Sequence, residues 1–408
     1  MNDLSFIPLE IMIGVLGLGL LLLDLWWPSE RRKQLGYIAL AGVVTAFVFS
    51  LQMQPDPGAR PFGGMIVLDP LALFFKRFFL AATALVLLLA IEFSDRIQTG
   101  LSEYFSLTVF ALLGMLFAAS ANDFIMVFVS LELITIAFYI LTSFQRAKLV
   151  SLEAGVKYLI LGALSTAFTV YGIALIFGTA GTTNFTEVAR AFPALAAKPV
   201  FALGVLLVSV GLGFKIAAFP FQIWAPDVYQ GAPAPTVAFL AVGSKAAGIV
   251  LLLRVLFTAV PDLARGWTGL LMLVSAVTIL YGNLCAIPQR NIKRLLGYSS
   301  IAQAGYLLLG FAAFSASGSS SVLFYLVGYL FAVLAALTVV VVVSNAVGAE
   351  DISAFSGLAR RSPFLAMALS ASMISLAGIP PLAGFFGKFL LLRAVVEQAG
   401  AHAAYYWL

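Results

Sequence analysis

Long apolar stretches separated by short polar loops run along the whole chain. Each stretch has about 20 residues, which is the length of an α-helix that crosses the hydrocarbon core of a bilayer. A thirteenth stretch is expected to begin near Ala403. The twelve complete stretches predict membrane-spanning helices at 6–27, 36–53, 67–91, 102–120, 123–143, 152–178, 199–219, 236–259, 267–287, 294–314, 320–345 and 363–393.

Composition supports an all-α polytopic membrane protein. Of the 408 residues, 62% are hydrophobic and 10% are charged, whereas a soluble domain has about 25% charged residues. The net charge of +5 does not indicate nucleic-acid binding, because the basic residues form short clusters between the apolar stretches. A single cysteine, Cys285, excludes an internal disulfide and a zinc site or iron–sulfur cluster held by this chain alone.

Basic residues are unevenly divided between alternate loops, and the positive-inside rule assigns the richer loops to the cytoplasm. The N-terminus is therefore predicted to lie outside, in the periplasm. The richer set is Arg31, Arg32, Lys33, Arg96, Arg146, Lys148, Arg290, Lys293, Arg294, Arg360 and Arg361. The poorer set is Arg60, Arg190, Lys198, Arg265 and Arg393.

Charged residues also occur inside the predicted spans, and their depth decides how they are interpreted. Lys76 and Arg77 lie inside the third span. Arg254 lies near the end of the eighth span, from which a long side chain can extend to the interface. Glu10 and Asp24 lie near the two ends of the first span and are expected to be interfacial.

Four charged residues lie deeper: Glu132, Lys215, Lys245 and Lys388. A charge at the centre of a spanning helix costs about 2.5–3.5 kcal/mol on insertion scales, so such residues usually have a function. Structural ion pairs are the alternative, but one carboxylate does not balance three lysines. We therefore expect the four residues to conduct ions.

Two spans contain helix breakers beside these lysines. Pro220 interrupts the seventh span just after Lys215, and Pro380 and Pro381 interrupt the twelfth span before Lys388. Proline has no amide hydrogen, so the carbonyl groups of Ile216, Leu376 and Ala377 are expected to lose their helical partners. Irregular backbone at membrane depth is tolerated where protein or water satisfies it, and it often marks the ion site of a transporter.

The two breaks are five spans apart. An odd number of spans reverses the direction of the chain, so the units that contain Lys215 and Lys388 are predicted to be inverted repeats, with the two lysines at equivalent points.

Polar residues between the charged ones are candidates for completing a relay. They can equally form hydrogen bonds that hold helices together. These residues are Ser244, Ser299, Ser300, Gln303 and Tyr306.

Several segments resemble a known family. They include GLGFKIAAFPFQIWAPDVYQGAPAPTVAFLAVGSKAAG, NIKRLLGYSSIAQAGYLLLG and SLAGIPPLAGFFGKFLLLRAV. From about Leu101 to Ala394 the chain closely resembles the subunit N family of bacterial NADH-quinone oxidoreductase, respiratory complex I, whose members are antiporter-like membrane subunits.

The resemblance implies a fold of fourteen spans with two inverted five-helix repeats, spans 4–8 and 9–13, and with helices 7 and 12 broken. Three N-terminal helices would occupy residues 1–100. The first repeat would occupy 101–260, and the second, lacking its end, 261–408.

The resemblance also implies roles for the deep charges. Glu132 and Lys215 would form a coupling pair, Lys245 would be the central relay, and Lys388 would lead to the periplasmic exit or to a neighbouring subunit. Lys157, in the sixth span, would adjust Lys215.

Two positions depart from related proteins. Relatives often have a histidine where this chain has Gln303, and glutamine does not titrate. Subunits L and M and the Mrp-type antiporters usually carry a histidine and a threonine or leucine where this chain has Gln222 and Ile223, which favours subunit N.

The expected function is proton translocation in the cell inner membrane, driven by electron transfer in other subunits. Neighbouring subunits M and K are the expected partners. NADH, FMN, iron–sulfur clusters and quinone are expected to bind elsewhere in the complex, with no cofactor or metal in this chain. The alternatives are an Mrp-type cation/proton antiporter subunit and a structural scaffold with a vestigial relay.

Overall fold

The computed structural model describes residues 3–97 and 99–399, and the predicted span near Ala403 lies outside these residues. The α-helices are α1 (Pro8–Asp24), α2 (Lys33–Gln52), α3 (Pro70–Phe93), α4 (Leu101–Ser120), α5 (Phe124–Thr142), α6 (Leu149–Ala180), α7 (Phe185–Leu195), α8 (Pro199–Ile216), α9 (Trp224–Gly231), α10 (Ala234–Phe239), α11 (Lys245–Arg254), α12 (Pro261–Gly266), α13 (Thr268–Ala286), α14 (Ile292–Ala312), α15 (Ala316–Val347), α16 (Leu358–Arg361), α17 (Pro363–Ala377) and α18 (Ala383–Ala399).

Shorter helical segments join or extend these helices. Two π-helical segments, Leu240–Ser244 and Val255–Ala259, follow α10 and α11. The 3₁₀ turns are Asp3–Phe6, Ser29–Arg31, Pro61–Gly64, Ser94–Arg96 and Ile352–Phe355.

Ten helical stretches among the described residues are long and apolar enough to cross a membrane, which confirms the prediction of a polytopic α-helical protein. The first predicted span forms α1, which has 17 residues. The twelfth forms two shorter helices, α17 and α18, and is broken as predicted. The eighth span, Ala234–Ala259, comprises α10, α11 and both π-helical segments.

The chain forms two compact units. The first contains 1–212 and 231–261, and the second contains 213–230 and 262–408. The last turn of α8, including Lys215, therefore belongs to the second unit. The division into repeats at residues 100 and 260 stays a prediction.

Within the first unit, small residues allow close contact between helices. Gly172 of α6 and Gly204 of α8 lie against each other's backbone, leaving no room for a side chain at either position. The Ser165 hydroxyl of α6 donates to the carbonyl oxygen of Gly211 over 3.3 Å. Interfaces of this kind are typical of membrane helices, because lipid tails supply no hydrophobic force between apolar helices.

One order of elements occurs twice along the chain. Asp123 caps α5 and accepts from the amide of Ile125, and Asn291 caps α14 in the same manner. In each case a helix of 32 residues follows, α6 or α15, and a left-handed glycine ends it. After one short helix, α7 or α16, each copy continues with a broken helix, α8 with α9 and α17 with α18.

Glu10 is not interfacial, contrary to the expectation from its place in the sequence. Its carboxylate lies 2.8 Å from the ammonium of Lys76, and both side chains are at most 1% exposed. The interaction joins α1 to α3. Asp24, at the other end of α1, forms an ion pair with Arg32 and is partly exposed.

The expectation that Arg254 extends to the interface is also wrong. The guanidinium is buried and forms two hydrogen bonds with Asp69, of 2.8 and 3.0 Å, and two with the carbonyl oxygen of Ala119. Burial raises the pKa of the Asp69 carboxyl, but the hydrogen bonds and charge of Arg254 outweigh burial, so this pKa lies below its ordinary value. The interaction holds the end of α11 against the start of α3.

Removing one partner of the Glu10–Lys76 pair should be more damaging than removing both. Glu10→Gln leaves the buried Lys76 ammonium without its carboxylate, which we expect to lower the free energy of unfolding by about 3–5 kcal/mol. The double change to Glu10→Met and Lys76→Met should recover most of that loss. Unfolding in mixed micelles of increasing sodium dodecyl sulfate content measures both effects.

The exposed i,i+4 pair of Arg393 and Glu397 provides the control. Glu397→Gln should change stability by less than about 1 kcal/mol, because exposed pairs are screened by solvent. Equal losses for Glu10→Gln and Glu397→Gln would contradict a buried pair.

Candidate functional site

Glu132 lies near the middle of α5, about 12 Å along the axis from its first residue Phe124. The side chain is half-buried, and its carboxylate accepts a hydrogen bond of 2.6 Å from the Thr166 hydroxyl of α6. Among the described contacts between α5 and α6, the group that donates to this carboxylate is therefore neutral.

A cavity of about 660 Å³ lies between α5 and α6 beside this carboxylate. Glu132, Tyr139 and Thr166 line it, as do Ser143 and Arg146 at the loop that follows α5. The cavity therefore extends from the middle of α5 to the loop at the end of that helix.

Lys245 is the first residue of α11 and is 3% exposed. It directly follows the π-helical segment Leu240–Ser244, and every residue of that segment is buried. A π-helical turn inserts an extra residue into the helix and changes the direction of the side chains beside it, and such turns are frequent at functional sites. The hydropathy pattern gives no sign of this turn.

Lys215 lies in the last turn of α8 and is also 3% exposed. The predicted break follows at once, with Pro220 between α8 and α9. Backbone groups at this break have protein partners: the indole of Trp224 donates to the carbonyl oxygen of Phe214 over 3.0 Å, and the amide of Phe219 donates to Thr278 over 3.0 Å.

Lys388 lies in the second turn of α18, after the break at Pro380 and Pro381. Its ammonium donates to the carbonyl oxygens of Leu376 (3.0 Å) and Ala377 (3.1 Å). These are the carbonyls that the two prolines were expected to leave without helical partners.

Tyr306 and Gln303 of α14 complete this cluster. The Lys388 ammonium lies 4.2 Å from the centre of the Tyr306 ring, which is a cation–π contact. The Gln303 amide donates to the carbonyl oxygen of Leu376 over 3.1 Å and accepts from the Tyr325 hydroxyl. Gln303 and Lys388 therefore share one acceptor.

Ser300 lies one turn before Gln303 and joins two tyrosine hydroxyls. Tyr229 of α9 lies 2.8 Å from the Ser300 hydroxyl, and Tyr329 of α15 donates to it over 3.1 Å. Ser299, the neighbouring candidate, is half-buried. Sequence reasoning missed Tyr325 and Tyr329, although their spacing of one helical turn in an apolar span was a usable signal.

Lys157 forms an ion pair of 2.7 Å with Glu153 one turn earlier on α6, and its side chain is 43% exposed. The sequence reading missed Glu153, although the i,i+4 spacing is visible in the sequence. The expected effect of Lys157 on Lys215 stays a prediction.

The structure assembles part of the predicted set. It joins Lys388, Gln303 and Tyr306 in the second unit. Glu132 and Lys245 belong to the first unit and Lys215 to the second, so the coupling of Glu132 with Lys215 stays a prediction. Lys215 precedes its helix break and Lys388 follows its own, so the two lysines are not at equivalent points.

A family profile described as the transmembrane part of NADH:quinone oxidoreductase and Mrp antiporters matches residues 121–405. The chain belongs to this family. Its members are membrane subunits of ion-translocating complexes, and the matched region contains all four of the deep charges.

Within the family, the chain is similar to NADH-quinone oxidoreductase subunit N of Moorella thermoacetica, with 42% identity over all of this chain and 84% of the relative. A chain of respiratory complex I from Thermus thermophilus has 34% identity and a TM-score of 0.79, covering 98% of this chain and 84% of that one. A chain of the Mrp complex from a Dietzia species has 24% identity and a TM-score of 0.83, covering 98% and 76%, and it shows the shared antiporter-like fold.

The contact between Lys388 and the backbone at the break after α17 leads to a stability prediction. Gly378 has a φ of 85°, and a Cβ there would lie 2.8 Å from Cδ of Lys388. Gly378→Ala should cost about 1 kcal/mol from the left-handed backbone. A further loss of about 1.5–3 kcal/mol is expected because the ammonium moves off its carbonyl acceptors.

Gly357 is the matched control, since its φ is 71° and open space surrounds its Cβ direction. Gly357→Ala should show the backbone cost alone. Unfolding of the purified variants in mixed micelles compares the two, and equal losses would sink the proposed role of the Lys388 contact.

Proposed function

We propose that the chain is the proton-translocating membrane subunit of an NADH:quinone oxidoreductase. The observation that carries the proposal is the burial of Lys215 and Lys245, each beside non-α backbone, in a chain similar to subunit N over its full length. Buried lysines at helix irregularities are typical of ion pathways and rare elsewhere in membranes.

In the proposed mechanism, Glu132 and Lys215 form the switch. A carboxylate that approaches a buried lysine favours its charged form, and a carboxylate that withdraws allows the lysine to release its proton. Lys245 passes the proton on, and Lys388 releases it towards the exit. Lys157 adjusts the charge near the switch.

Neutral partners suit this task. Thr166 holds Glu132, and carbonyl oxygens with an aromatic ring hold Lys388. When such a group changes its protonation state, it leaves no opposite charge buried without its partner. Gln303, Ser299 and Tyr306 are the proposed polar groups beside Lys388.

The energy has to come from other subunits, because moving one charge against 100 mV costs about 2.3 kcal/mol. We propose subunits M and K as neighbours. NADH, FMN, iron–sulfur clusters and quinone bind elsewhere in the proposed complex, and this chain holds no cofactor. The proposed location is the cell inner membrane, with the N-terminus in the periplasm.

An Mrp-type cation/proton antiporter subunit is the second candidate, since the matched family includes these proteins and the Mrp chain has the same fold. The higher identity to subunit N relatives favours the first candidate. Cation-dependent proton exchange in vesicles without NADH would favour the second. A structural scaffold with a vestigial relay predicts that loss of Lys245 changes assembly and not pumping.

Lys215→Ala tests the proposed function. Loss of the ammonium removes the charge that Glu132 is proposed to control, so NADH-driven proton uptake into vesicles should fall at least about tenfold. Electron transfer from NADH to an artificial acceptor should persist, since the redox centres lie in other subunits. Lys198→Ala, at an exposed loop position, is the matched control and should pump normally.

Native gel electrophoresis tests whether each variant assembles into the complex. A normal ratio of protons to electrons in assembled Lys215→Ala complex would refute the proposal.

A further inference from the structure

A row of hydroxyl groups runs from the cavity beside Glu132 towards Lys245, entirely within the first unit. It begins at Tyr139, which lies seven residues after Glu132 on the same face of α5, about 10.5 Å along the helix. Both side chains line the cavity of about 660 Å³. A water molecule occupies about 30 Å³, so the cavity has room for water beside the Tyr139 side chain.

The Tyr139 hydroxyl packs against Gly162 of α6. It occupies the space that a Cβ at position 162 would take, so only glycine accepts the phenol there. The oxygen is buried and forms no hydrogen bond with any residue that the structure describes. A buried hydroxyl without a protein partner is costly unless water or a moving proton satisfies it.

Tyr158 lies one turn before Gly162 on the same face of α6 and is fully buried. Its ring meets the Tyr139 ring edge to face, with centroids 5.1 Å apart. Ser244 lies near the Tyr158 hydroxyl, although the two oxygens are not within hydrogen-bond distance, and it is also buried. The row thus passes from α5 across α6 to the eighth span.

Ser244 is the last residue of the π-helical segment, and Lys245 follows it. Both residues are buried, so the row ends at the residue that precedes Lys245 in the chain.

We propose that the hydroxyl groups of Tyr139, Tyr158 and Ser244 carry protons between the Glu132 cavity and Lys245. This inference rests on the proposed function and assigns the groups that connect the Glu132 cavity to Lys245. Each oxygen accepts a proton from one side and releases its own proton to the other. The O–H bond that forms replaces the one that breaks, and no charge stays on the hydroxyl. In this proposal a water molecule has to enter between the two phenols to complete the row.

Three substitutions remove the route at different points. Tyr158→Phe deletes a hydroxyl and keeps the ring, Ser244→Ala deletes the next one, and Gly162→Ala displaces the Tyr139 hydroxyl without removing a polar group. We expect each to lower NADH-driven proton uptake by the assembled complex about three- to tenfold, the effect of one lost hydrogen bond. Ser244→Thr restores a hydroxyl and should restore uptake.

Matched controls separate the route from general damage. Tyr104→Phe removes a buried phenol of the same unit that bonds to Thr236, and Gly178→Ala adds a methyl group to α6 where the space is open. Both should pump as the unchanged protein does.

Lys245→Ala distinguishes failure of the hydroxyl route from failure of the proposed function. If Lys245→Ala abolishes uptake while Tyr158→Phe and Ser244→Ala pump normally, the hydroxyl route is wrong and the proposed function stands. If Lys245→Ala also pumps normally, the proposed function itself fails. Should Tyr158→Phe not assemble, the comparison of Ser244→Ala with Ser244→Thr decides: equal uptake by both would overturn the route.

Discussion

A polar group inside a bilayer must be satisfied by the protein, because the hydrocarbon offers no hydrogen bonds. The break between α17 and α18 shows the constraint most directly. Two carbonyl oxygens there accept from the Lys388 ammonium, and one of them also accepts from Gln303. The lysine ammonium supplies hydrogen-bond donors to backbone carbonyls that have no helical partner, and these carbonyls supply acceptors to the ammonium. Neither would be tolerated alone at this depth, so the broken helix and the buried charge have to be explained together.

The buried charges fall into two kinds with different consequences. Glu10 with Lys76, and Arg254 with Asp69, are full ion pairs with little exposure of the basic partner. Changing the protonation of either member would leave a buried charge alone, which makes these pairs structural. Glu132 accepts from the neutral Thr166, and that contact survives a change of charge elsewhere in the chain. The distinction separates residues that hold helices together from residues suited to move protons. The depth of a charged residue in a predicted span does not reveal it.

Most of the fold could be predicted from the sequence because helix length, hydropathy and proline position are local properties. The spans, the two breaks and the carbonyl groups freed by Pro380 and Pro381 follow from them. The errors concern partners distant in sequence. Glu10 and Arg254 lie near helix ends, where extension to water is the usual outcome, and only their packing against Lys76 and Asp69 buries them. The π-helical turn before Lys245 is likewise not visible in the sequence, since the hydropathy of the span does not mark it.

The repeated order of elements carries different chemistry in its two copies. Glu132 stands nine residues after the cap Asp123, and Ser300 stands nine residues after the cap Asn291. Where the first copy has a carboxylate held by one hydroxyl, the second has a hydroxyl held by two tyrosines. A carboxylate can store a charge and bias a neighbouring lysine, whereas a hydroxyl can only pass a proton on. Under the proposed function the first copy would therefore contain the step that responds to energy input, and the second would conduct what the first releases.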